Sequence, residues 1–107
     1  MINSILVKAL KPLGVPVSWQ TYSGTAPSYI TFFCYNEQGE AWAENKEIAT
    51  GYYVQVDLWS KSGDDSSLVD QVKSILEGEG FKRTTALDLY ESETQIYHKA
   101  MRFSYVI

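Results

Sequence analysis

The stretch YYVQVDLWS, residues 52–60, decides how this chain is read. Tyr52, Val54, Val56 and Leu58 are apolar at every second position, and Tyr53, Gln55, Asp57 and Trp59 alternate with them. A period of two is the signature of a strand buried on one face, and the β-branched valines suit it. The other face is unusual, because a strand turning one side to water has no need of Tyr53 and Trp59 there. These two aromatics raise the functional question.

The neighbouring segments extend the pattern. SYITFFCYN (residues 28–36) is β-branched and aromatic with no breaker, so it predicts a central strand. It is apolar on both faces: Tyr29, Thr31, Phe33 and Tyr35 alternate with Ile30, Phe32 and Cys34. Helices are expected on one side and a further layer, a second subunit among the candidates, on the other. VPVSWQTY (residues 15–22) predicts a short edge strand, since Pro16 cannot donate to a ladder. Residues 81–90 predict a strand interrupted near Thr85, and residues 95–106 a long strand after the turn ESET.

Two helices complete the set. Ile5, Leu6, Ala9, Leu10 and Leu13 recur at helical spacing after Asn3 or Ser4 as cap, and Pro12 and Gly14 end the run. Leu68, Val69, Val72, Ile75 and Leu76 form an apolar stripe over residues 66–79, with Asp64 or Asp65 as cap and Gly80 as stop. The expected fold is a single α+β domain over residues 1–107, in the order α-β-β-β-α-β-β. Its sheet of four to five strands is mainly antiparallel, with both helices packed on one face. Residues 36–51 read as a long polar connection, with Glu37, Glu40, Glu44 and Glu47 around Trp42 and a short strand near residues 41–43. A connection of that length in a compact domain is functional or mobile.

Composition limits the function. At 107 residues, 45% of them hydrophobic and 14% aromatic, the chain can bury a core. Thirteen acidic against nine basic side chains give a formal charge of −4, which carries no electrostatic footprint for nucleic acid or anionic lipid. A lone cysteine, Cys34, excludes an internal disulfide and a cysteine-based zinc site, and reads as a small buried hydrophobe in a reducing compartment. No signal peptide and no membrane span are read from the sequence, so a soluble, cytoplasmic protein is expected.

Catalytic chemistry finds little to stand on. His98 is the one histidine, on a face with Ile96, Ala100, Arg102 and Ser104, and without a metal partner at the usual spacing; it reads as a sheet-surface or interface residue. The four glutamates read as solvated, and no glycine spacing cradles a phosphate. No cofactor, no metal and no enzyme activity are expected. Asp57 is expected to pair with Lys99 or Arg102 across strands. What remains is the aromatic excess: Tyr53, Trp59 and Trp42, with Tyr29 or Phe33 beyond, make a patch of the kind that marks an association surface.

The blocks PSYITFFCYN, NKEIATGYYVQVDLWSKSGDDSSLVDQVKSILEGEGFKRT and DLYESETQIYHKAMRFSY together resemble the tail-completion proteins of siphophages and prophages of Gram-positive bacteria. These are related in fold to the tail terminators. The resemblance runs from about Pro27 to Tyr105. It implies a structural virion protein that forms a ring, typically six-fold, at the head-proximal end of the tail tube. Such a ring ends tube growth and joins the tail to the head. The tail tube protein and the head connector or stopper protein are its implied partners, with assembly in the host cytoplasm. It also implies that the connection at residues 36–51 is mobile in the free subunit and ordered in the assembly. On this reading Tyr53, Asp57, Trp59 and Trp42 serve the subunit interface. Glu37, Glu40, Glu44 and Glu47 line a lumen that repels passing DNA. Two rivals are a small intracellular protein-binding module of regulatory or antitoxin-like kind, and a small hydrolase using His98.

Overall fold

The computed structural model describes residues 2–63 and 65–107. The elements follow in the order α1 (Ile2–Leu10), β1 (Val17–Trp19), β2 (Ser28–Ala43), β3 (Lys46–Ser60), α2 (Ser66–Gly78), β4 (Lys82–Glu91) and β5 (Ile96–Val106). The strands form one sheet in the order β1-β2-β3-β5-β4. β1 runs parallel to β2 and the other neighbours are antiparallel. The α+β class, the element order and the mainly antiparallel sheet are as the sequence predicts.

The period-two pattern of residues 52–60 is realised directly. Val54, Val56 and Leu58 are buried against Phe103, Met101 and, from β2, Phe32 and Ile30. Leu6 and Leu10 of α1 and Val72 and Leu76 of α2 close over the same face, so both helices lie on one side of the sheet. Phe81 seals one end, stacked on Tyr105 at 4.4 Å and edge-on to Phe103 at 6.4 Å.

Local differences have local causes. α1 begins at Ile2, so Asn3 and Ser4 lie inside the helix; the burial of Ile2 in the core draws the first turn in. Pro12 sits in a 3-10 turn over Lys11–Leu13, closed by Gly14 at φ 75°, a left-handed position that favours glycine. Asp65 is the N-cap of α2 without a side-chain cap bond, because its carboxylate accepts the Ser28 hydroxyl at 2.9 Å. Asp64, the other expected cap, lies outside the described residues. Cys34 is half-buried, its thiol 3.2 Å from the Asn36 carbonyl. The interruption near Thr85 appears as a register shift between Arg83 and Thr85.

The main correction concerns residues 36–51. They are not a loop: β2 and β3 stay paired from Ser28↔Ser60 to Ala43↔Lys46, and the far half forms a two-stranded arm. Its tip is a two-residue turn at Glu44 (φ 51°) and Asn45 (φ 63°). Positive φ at both positions marks the primed turn that matches strand twist, and asparagine tolerates it best after glycine. None of residues 35–50 is buried. The arm therefore holds by its backbone ladder and not by a core, which is why its polar, low-propensity side chains hid it. The long axis of the molecule is 52 Å against 27 and 23 Å for the others.

Candidate functional site

The sheet face opposite the helices carries the outward residues of β2, β3, β5 and β4. Register places Tyr29 beside Trp59 and Trp59 beside His98, one row across three strands. Planar side chains fill that row: Tyr22 stacks on Tyr29 at 4.2 Å, Tyr29 on Trp59 at 6.0 Å and Trp59 on His98 at 3.8 Å. The indole donates to Thr31 Oγ1 at 2.9 Å, which fixes the ring. Burial, with the nearby charge of Glu91 and the neighbouring Tyr22 hydroxyl, raises the Tyr29 phenol above its ordinary pKa.

Asp57 lies beneath this row and is only 4% exposed. The sequence suggested Lys99 or Arg102 as its partner, and it pairs with neither. His98 Nε2 meets Asp57 Oδ1 at 2.6 Å, and Gln55 donates to the same oxygen at 2.8 Å. Lys99 aligns with Leu58 on the opposite face and pairs with Asp88 at 2.9 Å. Arg102 donates to Gln55 Oε1 at 3.2 Å and lies 4.6 Å above the Tyr35 ring. His98 is thus a sheet-face residue, as expected, but with Nε2 committed to Asp57 and one ring face to Trp59.

The polar network continues into the arm. Tyr35 packs at 6.4 Å from Tyr53, whose hydroxyl donates to Glu40, and Gln38 bridges Glu40 and Asn36. The hydrogen bond to Glu40, then desolvation and the Glu40 charge, raise the Tyr53 phenol above its ordinary pKa, while Gln38 acts in the other direction. Because the folded value is raised, this contact contributes below a pH of about 10, the value of a free tyrosine, and is lost as pH rises through the folded value. Glu40→Gln is expected to lower the Tyr53 titration toward the ordinary value. Ring-carbon chemical shifts followed to alkaline pH would show it, and an unmoved titration would sink the assignment.

Three of the four expected interface residues, Tyr53, Asp57 and Trp59, share this face. Trp42 stands apart on the arm, 62% exposed. Of the glutamates, Glu40 bonds Tyr53 and Glu47 accepts the Thr50 hydroxyl at 2.8 Å. Sequence reasoning missed Tyr22, Thr31 and Tyr35 as members of the row and network, and missed Leu87 and Leu89 of β4, which stand exposed on the same face. The alternation of Leu87 and Leu89 with Ala86, Asp88 and Tyr90 was the available signal.

Among the described residues no three His, Cys, Asp or Glu side chains gather in a metal-binding group. No helix among them is long and apolar enough to cross a membrane. A cleft of about 460 Å³ opens beside the start of α2, and its lysine, Lys99, is already paired with Asp88.

The helix-backed sheet thus presents a second face that is aromatic and polar, extended by an exposed arm. The chain belongs to the tail completion protein gp17 family, whose model matches residues 10–107. It is a structural protein of phage tail assembly, placed by its family in the virion tail and in contact with other tail or head components. A comparison with curated proteins finds no match.

Proposed function

We propose that the protein closes the head-proximal end of the tail tube as a ring of like subunits, six-fold as in the resemblance, ending tube growth and offering a surface to the head connector or stopper. The observation that carries this reading is the outer sheet face: both helices lie on the other side, yet the face holds a row of stacked rings over a buried Asp57. A closed ring needs two different complementary surfaces on each subunit, and a sheet face and an arm supply two. Tyr53, Trp59 and Trp42 contribute contact area, and Asp57 holds His98 and the ring stack in place behind it. Glu37, Glu40, Glu44 and Glu47 give the arm an acidic character that disfavours phosphate contacts with passing DNA. Subunits assemble in the host cytoplasm and end in the virion tail.

The test is a phage in which this gene is disrupted. Electron microscopy is expected to show tails of uncontrolled length without attached heads. Tails of normal length joined to heads would refute the proposal.

A further inference from the structure

We infer that the arm of one subunit seats on the outer-face groove between β4 and β5 of a second copy of this chain, with Trp42 as the anchor. The inference rests on the ring reading and names its contact. The groove has a volume of about 310 Å³ and is lined by Gln55, Thr85, Leu87, Leu89, Ala100 and Arg102. It is apolar at its floor and has no acidic side chain in its lining. Leu87 is 59% and Leu89 44% exposed, a pair of large aliphatic side chains left to water in the single chain. The arm leaves the matching groups in water: Trp42 is 62% and Ile48 63% exposed.

Charge selects the same pairing. Residues 36–51 carry four glutamates and one lysine, a net charge of −3. The groove carries Arg102 in its lining, and Lys82, facing Ser104 across the ladder, stands on the same face further along β4. Arg102 and Lys82 make one end of the apolar groove basic, while Glu91 stands on the same face beyond Leu89. Complementary charge therefore steers the acidic arm to the Arg102 end, and an aromatic side chain in an apolar pocket is the usual energetic centre of such a contact.

Geometry makes the contact intermolecular. Glu47, the register partner of Trp42, lies eight residues along β3 from Gln55 of the groove, about 26 Å at the rise of a strand. The arm points away from its own groove and cannot fold back without breaking the β2–β3 ladder. A contact of arm to groove is head-to-tail, the heterologous kind that closes into rings. It turns Glu44 and Glu47, near the tip, toward the neighbour and leaves Glu37 and Glu40, nearer the root, for the lumen.

The experiment combines cross-linking with mass. In a Cys34→Ser background, an Ala43→Cys protein, which keeps Trp42 beside the new thiol, and a Leu87→Cys protein are mixed and oxidised. A disulfide needs close Cα atoms, so a mixed dimer on a non-reducing gel reports this contact and no distant one. The expected result is efficient mixed cross-linking, a discrete oligomer of wild type by light scattering, and self-association weakened roughly thirtyfold by Trp42→Ala, the scale of a hot-spot residue. Lys82→Glu is expected to weaken association, and Glu44→Lys in the same chain to restore it. Oligomers without the cross-link overturn the arm-to-groove contact and leave the ring standing. A monomer at every concentration, without the cross-link, overturns both. Cross-linking of position 87 in assembled tails to a different virion protein overturns the inference and assigns the groove to that protein.

Discussion

Joining Gly39 to Thr50 through an Asn-Gly turn, in place of residues 40–49, is expected to give a folded domain that no longer self-assembles. Gly39 and Thr50 are register partners, so a two-residue primed turn closes the shortened hairpin without shifting the ladder behind it. The backbone bonds between Thr50 and Ile107, at 2.7 and 3.0 Å, are kept. No excised residue belongs to the core, which is built from α1, α2 and the inner halves of the strands. The loss of Glu40 from Tyr53 is a loss at an exposed site. The unfolding midpoint should therefore stay within about 5 °C of wild type, a change of roughly 1 kcal/mol for a domain of this size. Light scattering should then report a monomer at concentrations where the full-length chain forms the proposed ring. A shortened protein that assembles as before would show the arm dispensable, and a fall of the midpoint by more than about 15 °C would show it to be part of the folding unit.

Asp57→Ala is expected to destabilise the protein by about 2–3 kcal/mol, or roughly 10 °C in midpoint. The carboxylate accepts from both His98 and Gln55 in a site almost closed to water, and removing it leaves two polar groups without their acceptor. A buried group left unsatisfied costs more than the net worth of the bond it made. The effect should spread along the row: His98 loses the partner that orients it, and Trp59, stacked on it at 3.8 Å, loses its fixed neighbour. Near-ultraviolet circular dichroism should weaken in step. Asp57→Asn keeps an oxygen in place and should cost about half as much. Denaturant unfolding separates these outcomes, and an Asp57→Ala protein within about 0.5 kcal/mol of wild type would show that the pair bears no weight.

These two expectations also mark how far the sequence could be read. The strand at residues 52–60 was legible because Val54, Val56 and Leu58 alternate with polar and aromatic neighbours, and a period of two has one structural meaning. The second helix was legible for the same reason at a period of 3.6, and the aromatic outer face followed from Tyr53 and Trp59. The arm was hidden. Its residues, Glu37, Gln38, Gly39, Glu40 and Ala41 among them, have little preference for strand, and only Asn45 in the stretch ENKE hinted at a hairpin turn.

Asp57 shows the deeper limit. Its position on the outer face was fixed by parity, since it alternates with Val56 and Leu58. Its partner was not, because His98 comes within reach through the β3–β5 register, in which Trp59 faces His98 and Leu58 faces Lys99. The groove holding Leu87, Ala100 and Arg102 is likewise built from strands brought together by pairing. Sequence by itself determined which side of its own strand each residue faces, a property set by backbone geometry over a few residues. Tertiary structure alone decided which residues meet across strands, because register is set by the whole ladder and a shift of one position exchanges every neighbour.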